Sequence, residues 1–179
     1  MRLFKTLRSS VLFGVLVFAF SGAAVTAQEA GQIKLPATPK ASVLQAWNDT
    51  GDQLLTMAKD WPEDKYDWKL NPDVRSFRQV ILHVAGSNYD LVNRLAGSKL
   101  GDGANDPDPA KYKTKADVVN FLSASIQAGA SQIQKSSDAD VLKYLYLWIG
   151  YTEHMGEHYG LLVAYYRANN LVPPSSRKK

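Results

Sequence analysis

The chain of 179 residues has no cysteine and only three histidines. Lacking a thiol, it cannot form a disulfide, a thiolate metal site, an iron–sulfur cluster or a cysteine nucleophile, and it has no cysteine for lipid attachment. A fold that needs no disulfide and offers no thiol to oxidise suits export. One-sided charge is also missing. Of the 21 Lys+Arg set against 17 Asp+Glu, three (Arg2, Lys5 and Arg8) stand at the very start, where no acidic residue occurs; without them the balance is 18 against 17. A nearly neutral chain carries no electrostatic footprint for nucleic acid. Its longest N-terminal apolar run, Val11 to Phe20, has ten residues, well short of the ~20 that a spanning helix requires.

The basic start, the short apolar run and the small residues leading to Val25-Thr26-Ala27 have the layout of a secretory signal over residues 1–27, cleaved before Gln28. The reading implies an exported protein, periplasmic or secreted, with no stable membrane anchor once the signal is removed. Residues 28–40 include Gly31, Pro36 and Pro39 and read as a linker. The remaining length makes one domain large enough for its own core.

From there the apolar spacing is helical. It predicts helices over Ser42–Asp60, Ser76–Ala96, Lys115–Gln134 and Val141–Asn169. Trp61-Pro62 ends the first, a glycine-rich stretch from Gly101 to Pro109 separates the second and third, and Ser136 to Asp140 forms a turn. The fold class is all-α, a four-helix bundle preceded by the signal, a class whose facing side chains commonly build metal sites. Trp47, Trp61, Trp68 and Trp148 read as core. Arg177, Lys178 and Lys179 belong to a basic tail over 176–179 and read as solvated.

The three histidines all fall on these helices. His154 and His158 are four residues apart, about 40° around a helix of 3.6 residues per turn, so both leave the same face. They share a stripe with Leu147, Tyr151, Leu161 and Tyr165 and are expected to point inward, where burial favours the neutral imidazole that ligates metals. His83 lies on the second helix beside Gln79, Gly86, Ser87 and Asp90, small or polar residues that leave room for a pocket. Three nitrogens from two helices can hold one divalent transition metal with a position left open. Zinc, nickel, iron and copper all accept such a set.

His154 to His158 also reads as H-x-x-E-H, the motif of inverted zinc peptidases. Those require an acidic ligand downstream, and no acidic residue follows Glu157. The peptidase assignment therefore fails, although Glu157 remains a candidate base. Tyr151, one turn before His154, is a candidate hydrogen-bond donor to a bound small substrate.

Ser76-Phe77-Arg78-Gln79-Val80-Ile81-Leu82-His83-Val84-Ala85 resembles the second-helix motif of the DinB family of metal-binding four-helix bundles. His154 through Arg167, followed by Asn169-Asn170-Leu171-Val172-Pro173-Pro174, resembles that family's last helix and its exit. The likeness covers residues 41–175. It implies the family's unusual helix order, a divalent metal (zinc or nickel foremost) on His83, His154 and His158, and a tendency to form homodimers. Relatives include thiol-dependent transferases and isomerases. One departure is Leu161, where the family often has glutamine.

The expectation is an exported metal-dependent hydrolase of a small substrate, with Glu157 or Tyr151 assisting. The alternatives are a non-catalytic module binding a metal or small ligand, a structural bundle whose histidines hold no metal, and a thiol-dependent transferase or isomerase. The last is at odds with export, because reduced small thiols are chiefly cytosolic.

Overall fold

Thr38 starts the first helix earlier than the spacing predicts. Its hydroxyl accepts the Ala41 N–H, and Pro39 occupies the first helical position, where a missing N–H costs nothing. Thr38-Pro39, read as the end of a linker, is instead the start signal of α1 (Pro39–Asp60), which ends before Pro62 as expected. The structure, a computed structural model, describes residues 35–97 and 106–178. The expected signal (1–27), the linker up to residue 34 and part of the glycine-rich stretch lie outside the described residues.

α2 (Phe77–Leu95) opens with a capping box. The Ser76 hydroxyl accepts the Gln79 N–H at 3.3 Å, and the Gln79 side-chain oxygen accepts the Ser76 N–H at 2.8 Å. Gln79, read as part of the polar line beside His83, thus uses its side chain on the helix end. α3 (Lys115–Lys135) repeats the device with Thr114 and Asp117.

The last expected helix is two. The Ser137 hydroxyl caps α4 (Asp138–Lys143), so the expected turn from Ser136 to Asp140 runs straight into a short helix. At Tyr144 the backbone leaves helical values (φ −107, ψ 18) before α5 (Leu145–Ala168) begins. No glycine or proline marks this break. α5 closes with Asn170 in the left-handed region at φ 57. There the Leu171 N–H donates to Tyr166 at 2.9 Å and the Asn170 N–H to Arg167 at 3.0 Å, the double bond of a Schellman end.

α1 and α2 each pack against both α3 and α5. Consecutive helices α1 and α2 are therefore diagonal, and the chain from Trp61 to Ser76 has to cross the end of the bundle. Aromatic side chains fill that crossing. Trp61 and Phe77 stack with centroids 4.4 Å apart, and the buried Tyr66 hydroxyl donates to Ala58 at 2.5 Å. Arg78, only 8% exposed, holds the crossing to the segment before α3. It makes a paired contact with Asp67 at 2.7 and 3.1 Å and donates to the carbonyls of Tyr112 and Lys113 at 2.6 and 3.0 Å. Trp47, Trp61 and Trp148 are buried, and Trp68 packs edge-on against Tyr165, so all four tryptophans serve the core as expected. Burying an aromatic or aliphatic side chain of this size contributes roughly 1.5–3 kcal/mol relative to exposure.

Two further expectations change. Arg177 is exposed, as expected of the tail, but it does not hang free. It grips the Asp60 carboxylate at 2.8 and 2.6 Å and donates to the Val172 carbonyl, fastening the chain's end to α1. Leu161, placed with the inward stripe, is 36% exposed; α5 buries Trp148, Met155, Leu162, Tyr165 and Tyr166. The histidine face therefore lies on the flank of the buried face rather than at its centre. No described helix is long and apolar enough to cross a membrane.

Candidate metal centre

α2 and α5 are neighbours in the bundle, and the histidines meet in the groove between them. The Nε2 atoms of His83 and His154 are 3.0 Å apart, and those of His154 and His158 are 3.1 Å apart. The rings approach edge-on, with centroids 4.5 to 5.0 Å apart. All three ligand atoms lie within 4.8 Å of one another. The spacing thus brings together the three residues that the sequence pairs.

Hydrogen bonding alone does not account for this convergence. An imidazole nitrogen either donates or accepts, so three mutually facing nitrogens cannot all be satisfied by one another. A shared cation satisfies all three. Two nitrogens each ~2.0–2.1 Å from a tetrahedral zinc lie roughly 3.3 Å apart, close to the separations here. The protonation chemistry agrees. Burial, followed by the neighbouring His83 ring, lowers the pKa of His154 below the ordinary histidine value. Burial, followed by His154 and then His83, lowers His158 to about 4. Both are therefore neutral at pH 7, the form that ligates. The residues fit a divalent transition metal.

The three are not supported alike. The His83 ring donates through Nδ1 to Asp106 at 2.5 Å, and Arg75 holds the other oxygen of that carboxylate at 2.9 and 3.0 Å. Burial opposes the Asp106 charge, but the hydrogen bonds from His83 and Arg75 outweigh it and hold the carboxyl below its usual range. The Nδ1 atoms of His154 and His158 are buried with no partner among the described residues. Sequence reasoning missed Asp106. It lies in a polar stretch among prolines, and nothing local ties it to a helix 23 residues earlier.

A cleft of about 420 Å³ opens beside the cluster. Along α2 it is lined by His83, Ser87, Asp90 and Arg94; along α5 by His154, Tyr151, Gly150 and Leu147. Ser87 and Asp90 are where the polar line predicts a pocket. The Tyr151 hydroxyl donates to Asp90 at 2.5 Å, and Arg94 donates to the same oxygen at 2.6 Å. Burial, then the bond to Asp90, pushes the phenol up to about 12. Tyr151 therefore presents its oxygen, with the proton already committed. Arg94 was also missed, although its i, i+4 spacing from Asp90 is a readable signal. Glu157 stands exposed on α5 and is not among the residues lining the cleft.

The family model described as the DinB superfamily matches residues 46–166, which include all three histidines. No curated protein matches the chain.

Proposed function

The chain belongs to the DinB superfamily, and we propose that it is an exported metal-dependent hydrolase of a small substrate. His83, His154 and His158 hold one divalent transition metal, zinc or nickel, through Nε2. The observation that carries this reading is the convergence of three imidazole edges beside an open cleft. When bound, such an ion supplies a Lewis acid for polarising a carbonyl and making water more acidic.

The chain's own residues do the rest. The groove between α2 and α5 admits the substrate beside His83 and His154, with Leu147 and Ile149 covering its apolar part. The Tyr151 oxygen, its own O–H donated to Asp90, accepts a hydrogen bond from a substrate N–H or O–H and so orients it. Glu157, near enough to His154 to favour that ring's charge, takes up a proton at the exposed end.

A non-catalytic binding module is the second reading. It is favoured by the committed Tyr151 proton and by the place of Glu157 outside the cleft lining. The two separate when zinc- and nickel-loaded mature chain is assayed on small esters and amides. Chelator-sensitive turnover that disappears in His158→Ala supports the hydrolase. Stoichiometric metal with no turnover on any of them leaves the binding module.

A further inference from the structure

We propose that Asp106 is a positioning residue that fixes the tautomer and orientation of His83 and thereby strengthens metal binding at the histidine cluster. The inference rests on the reading above that the three histidines hold a metal.

Asp106 reaches His83 from outside the two helices that build the cluster. Its Oδ1 accepts from His83 Nδ1 at 2.5 Å. With the ring proton on Nδ1, the lone pair of Nε2 is directed at His154, 3.0 Å away. The opposite tautomer would place a hydrogen there and block the ligand position. A carboxylate behind a ligating imidazole also makes that imidazole a better donor.

The carboxylate is itself held. Arg75 donates to Oδ2 through two nitrogens at 2.9 and 3.0 Å, which leaves Oδ1 facing the histidine. Arg75 sits one residue before the Ser76 cap of α2, and its carbonyl accepts the Tyr165 hydroxyl of α5 at 2.5 Å. A chain of contacts thus runs from Tyr165 on α5 through Arg75 and Asp106 to His83 on α2. It closes again on α5 at His154 and joins the two helices that carry the ligands. His154 and His158 have no comparable partner at Nδ1 among the described residues, so the orienting effect is concentrated on the one ligand from α2. The His83 side chain is 15% exposed and that of Asp106 is 42% exposed. The contact therefore lies at the rim of the site, where it can orient the ring without supporting the core.

The test uses the full mature chain and two readouts. Zinc affinity is measured by competition with a chromophoric chelator for wild type, Asp106→Ala and Asp106→Glu. Histidine tautomers are read from long-range nitrogen–proton NMR spectra of the metal-free protein at pH 8. The account predicts a fall in zinc affinity of about 10–100-fold in Asp106→Ala, with partial rescue in Asp106→Glu. It predicts a His83 that is Nδ1-protonated in wild type and reverts in Asp106→Ala. The metal-free thermal midpoints should agree, which separates positioning from folding. Equal zinc affinity in wild type and Asp106→Ala overturns the proposal, and so does an Nε2-protonated His83 in wild type. A wild type that binds no zinc removes the metal reading, and with it this role for Asp106. The tautomer then reports on the hydrogen bond alone.

Discussion

Trp47 lies directly against the backbone at Gly129. A Cβ added there would stand 2.2 Å from Cζ2 of the indole, whose Nε1 donates to the Ile126 carbonyl at 2.9 Å. This is how α1 and α3 reach their close approach, and it explains a glycine inside a helix. Gly129→Ala should destabilise the fold by about 1–3 kcal/mol through overpacking, against a helix-propensity gain of at most about 1 kcal/mol. A lower urea midpoint with an unchanged slope is the expected result. A midpoint equal to or above wild type would show that the indole can yield.

Gly150 and Gly156 on α5 present the opposite case, because an added Cβ at either meets nothing within 4 Å. Alanine at each should stabilise the helix by about 0.5–1 kcal/mol. Only Gly150 lines the cleft, so Gly150→Ala should also weaken substrate turnover while Gly156→Ala does not. Matching kinetics in the two variants would remove Gly150 from the substrate path.

Acid should destabilise the metal-free chain. The pKa values of His154 and His158 are lowered in the folded state, to about 4 for His158, while an unfolded histidine titrates near 6.5. Between these values the unfolded chain binds more protons, so stability rises with pH. The contribution is fully present above about pH 6.5 and is lost as pH falls towards 4. Thermal midpoints of the metal-free chain from pH 7.5 to 4.5 test this. A His158→Gln variant should show a flatter dependence, and an identical slope in both would contradict the assignment.

Glu157→Gln tests the proposed base. General-base catalysis contributes roughly 10²–10⁴-fold, so kcat should fall by about two orders of magnitude while metal content and KM hold. An unchanged kcat would fit its exposed position and return Glu157 to the solvated surface.

Much of this was legible because it rests on local chemistry. The i, i+4 spacing of His154 and His158, the stop at Trp61-Pro62 and the helical periodicity each follow from a few neighbouring residues. Features that depend on distant contacts were not legible. Asp106 meets His83 across 23 residues of sequence, Arg177 returns to Asp60, and the break at Tyr144 carries no glycine or proline. Thr38-Pro39 was readable and was mistaken, since the same proline that marks a linker also starts a helix. The flank position of the histidines, with Leu161 exposed, depends on which of two adjacent faces of α5 the neighbouring helices cover.

The central claim is that three imidazoles share one ion, and metal stoichiometry tests it most directly. A purified chain beginning at Gln28, without the proposed signal, is loaded with zinc or nickel, freed of excess and analysed for metal beside His154→Ala, whose Nε2 faces both other rings. The account predicts about one ion per chain in wild type and a loss in the variant, with the wild-type thermal midpoint raised by metal as expected for binding to the folded state. No bound metal in wild type with either ion, or equal amounts in both proteins, would contradict it.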